Sequence, residues 1–181
     1  MKSQDVDSTL DLKARTAGSF FLLSVVTAVA GEFLLHGRAS TAAGLIAVAC
    51  YVVVTFEFYG IFKQVDRKLA VLAISFNFAG LALEAARWNP GGVDVAMVLH
   101  GVYCLLIGRL IYRSKFLATF FATTIASAGV TWLLYVSPSV ANHLSPYNTV
   151  FGLVGEALPC LWFLVMGLDV RQLKLQAAAP R

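Results

Sequence analysis

Six stretches of about 20 apolar residues take up most of the chain, and nothing else in it restricts the fold as strongly. A helix of that length crosses the hydrocarbon core of a bilayer. The stretches run over residues 17–36, 41–62, 69–88, 93–112, 116–136 and 147–168. Short segments of charge and helix breakers join them: "HGRAS", "KQVDRK", "WNPGGVD", "RSK" and "SPSVANHLSPY". The strand-type alternation of apolar and polar residues is absent, which argues against a barrel. The expected architecture is an all-α polytopic bundle of six transmembrane helices, one domain over residues 1–181 with short tails at 1–14 and 172–181. Composition agrees. Only 13% of the 181 residues are charged and 59% are hydrophobic, against about 25% charged in soluble domains. Too few polar side chains exist to cover a globule in water, so the expected solvent is lipid.

Orientation follows from the basic residues, which accumulate on the cytoplasmic side of a membrane. Twelve of the 14 fall on one side: Lys2, Lys13, Arg15, Lys63, Arg67, Lys68, Arg109, Arg113, Lys115, Arg171, Lys174 and Arg181. Only Arg38 and Arg87 lie on the other. Both termini are therefore expected in the cytoplasm. The interleaving of basic residues with apolar runs also excludes a nucleic-acid patch, despite a net charge of +4. The segment "KARTAGSFFLLSVVTAVAGE" has the basic start, apolar core and small-residue end of a signal peptide. Asp5, Asp7 and Asp11 ahead of it, and the apolar run through Phe33–Leu35, favour a retained first helix. Cys50, Cys104 and Cys160 sit inside apolar runs with no disulfide or zinc-finger spacing and read as packing residues. Thr123, Thr124, Ser127 and Gly129 make the fifth span a close-packing helix.

Polar residues inside spans are expensive and mark function by default. Glu32 and His36, four apart, share a helix face near the end of the first span, suited to a metal or an interfacial ion pair. Asn77 and Glu84 share a stripe of the third span, with Arg87 placed to neutralise Glu84. His100 has Tyr103 and Cys104 one turn away. Glu156 is the deepest acid, and Pro159 removes the amide that would bond the Gly155 carbonyl beside it. Glu57 and Arg109 lie at matching depth in the other half and are expected to form a structural pair.

Glu32, Glu84, His100 and Glu156 come from four spans but the same half of the bilayer, so convergence would make a pocket facing away from the cytoplasm. Glu156 and His100 are the candidate catalytic residues there, and Glu32, Glu84, Asn77 and Cys104 the candidate pocket residues. Any metal would be held by Glu32, His100 and Glu156. No HExxH, GxSxG or Walker loop occurs, histidines do not cluster, and no lysine lies in a span to hold a retinal. No cofactor is indicated.

"LHGVYCLLIGRLIYRSKFL", followed by a span and then "GEALPCLWFLVMGLDV", resembles a bacterial family of small membrane proteins, the domain-of-unknown-function family numbered 4386. The resemblance rests on His100, Leu105, Gly108 and Leu110 to Ser114, then on Gly155, Glu156, Leu161, Trp162, Leu164 and Gly167, with Glu32 fitting as well. It is strongest from Leu99 onward and weak across the second and third spans. It implies a six-helix bundle in a bacterial inner membrane and brings no activity with it. The leading expectation is a membrane protein binding or converting a small or lipid-soluble ligand. The alternatives are an accessory subunit of a larger membrane complex and a proton-coupled transporter.

Overall fold

Each apolar run has closed into a helix, because in lipid a backbone amide must find its partner within its own segment. The computed structural model of the chain describes residues 2–114 and 117–168, and side chains from residue 9 onward except that of Glu32. Seven α-helices follow in order: α1 (Lys2–Phe33), α2 (Arg38–Phe62), α3 (Arg67–Ala85), α4 (Val95–Arg113), α5 (Thr119–Leu133), α6 (Pro138–Leu144) and α7 (Tyr147–Met166). All but α6 are part of segments long and apolar enough to cross a membrane.

Two differences from expectation have local causes. The first helix already includes Lys2, ahead of the expected start at 17, and stops at Phe33, short of the expected 36, before a glycine with φ of 60°, Gly37. The segment expected as a loop, "SPSVANHLSPY", holds α6, which starts on Pro138 at the first helical position, where the missing N–H is harmless. Seven residues are too few for a helical period to show. Asp66 and Asp94 stop the adjoining connections by accepting from Leu69 N and Met97 N as N-caps of α3 and α4.

The six long helices form a closed ring in chain order. α1 packs on α2, α2 on α3, α3 on α4, α4 on α5, α5 on α7, and α7 on α1. One face, here the terminal face, gathers the ends that the up-and-down path returns to it. There Lys13 of α1 pairs with Glu57 of α2 at 2.9 Å, Arg113 of α4 with Asp66 before α3 at 2.7 Å, and Leu168 N donates to Asp11. Glycines let the backbones meet: a Cβ on Gly101 would come 2.8 Å from the Gly129 carbonyl, and one on Gly129 equally close to that of Gly101.

The distribution of side chains is inverted relative to a protein in water. Phe56, Val130, Phe151, Val154 and Val165 are exposed on the outer surface, whereas Ser24, Thr55, Asn77, Asn148 and Glu156 are buried inside. An outer apolar shell around an inner polar set suits lipid as the surrounding solvent.

Candidate functional site

Six of the inner side chains form one hydrogen-bonded cluster. Tyr51 and Thr55 come from α2, Asn77 from α3, His100 from α4, Trp132 from α5 and Glu156 from α7. Glu156 is the hub, with only 3% of its surface exposed. Its Oε1 faces His100 Nε2 at 2.9 Å and also accepts from the Trp132 indole N–H, while Oε2 accepts from the Tyr51 hydroxyl at 2.6 Å. A buried carboxylate is tolerable only when such donors replace its water.

The direction of each hydrogen bond follows from the donor and acceptor inventory. The Thr55 hydroxyl donates to the Tyr51 carbonyl at 2.8 Å, so its oxygen is free to accept from Asn77 Nδ2 at 2.6 Å. This turns Asn77 Oδ1 toward His100 Nδ1, 2.8 Å away, and Nδ1 must carry the proton. Nε2 and the Glu156 oxygen then share one further proton. The pair is either imidazolium with carboxylate or neutral imidazole with carboxylic acid. Its net charge is zero both ways, as an apolar interior requires.

Above this floor lies a cavity of about 200 Å³. Phe21, Val25, Val48, Leu81, Met97 and Leu153 supply apolar wall, and Tyr51, Asn77, His100, Trp132 and Glu156 supply the polar end. Ala28, late in α1, Gly44, early in α2, Glu84, at the end of α3, and Ala96, early in α4, mark its other limit. The cavity therefore runs from the polar cluster toward the face opposite the termini. Gly152 makes the floor possible, because a Cβ there would come 2.9 Å from Trp132 Cη2 and closer still to Cζ2 and Cε2.

Of the residues expected from sequence, Glu156, His100 and Asn77 come together at the floor. Cys104 is next to them, its sulfur 3.6 Å from His100 Nε2, but it is fully buried and does not line the cavity. Glu84 is exposed and belongs to the cavity's outer limit, and among the described residues no ion pair joins it to Arg87. The Glu32 side chain lies outside the described residues, as do Lys115, Arg171, Lys174, Arg181 and the tail 172–181. The expected Glu57–Arg109 pair is not formed: Glu57 takes Lys13, because α1 extends far enough to bring an ammonium against α2, and Arg109 is exposed. Pro159 leaves α7 continuous to Met166, and Gly155 faces α5, where a Cβ would meet the Thr124 carbonyl and Ala128.

Sequence reading missed Tyr51, Thr55 and Trp132. Tyrosine and tryptophan in an apolar run read as bulk or as interface anchors. The signal available was the need of a buried Glu and His for donors, which these rings supply. Tyr103, one turn from His100, carries the buried side-chain hydroxyl that lacks a hydrogen-bond partner among the described residues.

No family model, no curated protein and no solved structure matches the chain.

Proposed function

We propose that this is a multi-pass membrane protein that binds a small, uncharged amphiphile in the intramembrane cavity, with the ligand's polar head on the Glu156–His100 pair. The observation that carries the reading is the hydrogen-bonded Glu156–His100 pair at the end of a cavity whose walls are mainly apolar. A charged head would leave an uncompensated charge there, whereas a hydroxyl or carbonyl exchanges hydrogen bonds with Tyr51, His100 and Glu156. Size supports the same class. An apolar cavity of about 150 Å³ holds a benzene ring, so about 200 Å³ takes a head and the first carbons of a chain. Protonation and deprotonation of a bound head by the shared proton would be the natural chemistry if the ligand is also converted.

The basic-residue bias supports cytoplasmic termini, so the cavity would approach the bilayer's other side. A bacterial inner membrane, which the resemblance noted from Leu99 onward implies, is part of the same proposal.

The test uses Trp132, which lines the cavity and is 4% exposed, whereas Trp88 and Trp162 are exposed on the surface. In a Trp88→Phe/Trp162→Phe background, a brominated medium-chain alcohol should quench Trp132 fluorescence with a saturable isotherm. Quenching that is absent, or only proportional to the alcohol dissolved in the micelle, contradicts the reading.

A further inference from the structure

The floor of the cavity also has the donor set of a metal centre. We propose that His100 Nε2, Cys104 Sγ and a Glu156 oxygen bind one thiophilic divalent transition-metal ion of the zinc type. The inference deepens the reading above, since it rests on the same pair at the end of the same cavity.

Geometry is the first support. The three ligand atoms lie within 4.8 Å of one another. His100 and Cys104 are one turn apart on α4, with Nε2 and Sγ 3.6 Å apart. Bonds of about 2.0 Å to nitrogen and about 2.3 Å to sulfur, at a tetrahedral angle, require about 3.5 Å between those atoms. The Glu156 oxygen, 2.9 Å from Nε2, has to withdraw by about half an ångström to reach the corresponding spacing.

The surroundings are those a metal ligand needs. A ligating histidine donates its other N–H to a fixed acceptor, and ligating carboxylates are themselves hydrogen-bonded. His100 Nδ1 meets Asn77 Oδ1, held in turn by Thr55, and Glu156 is held by Trp132 and Tyr51. His100 and Glu156 line the cavity and Cys104 does not, and three protein ligands leave a tetrahedral ion one further position for a ligand or water.

Charge balance is the third support and selects a divalent ion. Without metal, the pair holds one shared proton and Cys104 a thiol proton. Metal binding forms bonds from the ion to neutral imidazole, thiolate and carboxylate and releases both protons to solvent. Two positive charges replace two, and the net charge of this buried site stays at zero.

The experiment uses the purified full chain, stripped by chelator in detergent and titrated with Co²⁺ as a spectroscopic probe. One Co²⁺ per chain is expected, with thiolate-to-metal charge-transfer absorption, tetrahedral visible bands and about two protons released per ion. Cys104→Ala should abolish the charge-transfer band and weaken binding by more than about tenfold, and Cys104→Ser serves as a second variant should the first not fold. The brominated-alcohol quenching of Trp132 should persist in the metal-free Cys104→Ala protein, which separates this inference from the cavity reading. Absence of stoichiometric cobalt, a charge-transfer band that survives loss of Cys104, or a different proton count overturns the proposal.

Discussion

Glu156 is surrounded by groups that amide chemistry cannot satisfy together, which makes it the most informative single position. Trp132 can only donate and points at the same oxygen that faces His100 Nε2. In Glu156→Gln, an amide NH₂ in that place would bond Nε2 but oppose the indole N–H. An amide oxygen there would accept from Trp132 but needs a charged, unbalanced imidazolium. Glu156→Gln should therefore cost about 1–3 kcal/mol, read as a lower unfolding midpoint in detergent. Removing the conflicting donor should recover part of the loss, so Trp132→Phe/Glu156→Gln should be more stable than the sum of the two single changes allows. Additive effects would mean that the indole and the imidazole do not share one oxygen of Glu156.

At the level of elements, the spans were legible because each needs only length and apolarity, and both are local properties. The extent of α1 was not, since Lys2 to Arg15 is rich in charge, and Asp11 and Lys13 make contacts that no local pattern records. Lys13 to Glu57 and Leu168 N to Asp11 are such contacts. That hidden extension is also why the Glu57–Arg109 pairing failed: depth can be counted along a span, but the neighbour across the interface cannot. The α5–α7 contact depends on Gly152, which accepts the Trp132 indole against bare backbone. Gly152→Ala should push that ring off Glu156, lowering stability by about 1–3 kcal/mol through overpacking and shifting Trp132 emission in the single-tryptophan background. An unchanged spectrum and midpoint would show that the indole is not seated there.

For the whole molecule, the sequence reading put Glu32, Glu84, His100 and Glu156 in the same half of the bilayer but could not say which of them meet; His100 and Glu156 do, while Glu84 is exposed at the cavity's other limit. Convergence comes from ring closure, in which α7 packs on both α5 and α1 and so brings Glu156 to His100 from 56 residues away. The orientation of that ring is open to a direct check. Cys50, Cys104 and Cys160 are buried, so background labelling should be low. In sealed cells, an impermeant maleimide given access to the non-cytoplasmic side of the membrane should label Ser139→Cys, exposed on α6, and spare Lys63→Cys, on the terminal face. The reverse pattern would invert the topology and turn the cavity toward the cytoplasm.

If the cavity itself is the binding site, filling it from Gly44 must block binding. Gly44 lines the cavity, lies in a helix, and has no neighbouring atom within 4 Å of the position a Cβ would take. A side chain there starts from a Cβ position with open space around it, and replacing glycine in a helix adds about 1 kcal/mol of intrinsic preference, so Gly44→Leu should fold. The measurement is the saturable quenching of Trp132 by the brominated alcohol in Gly44→Leu, with the unfolding midpoint of the same sample. Quenching should be lost while the midpoint holds or rises. Undiminished saturable quenching in a folded Gly44→Leu protein would contradict the cavity as the binding site.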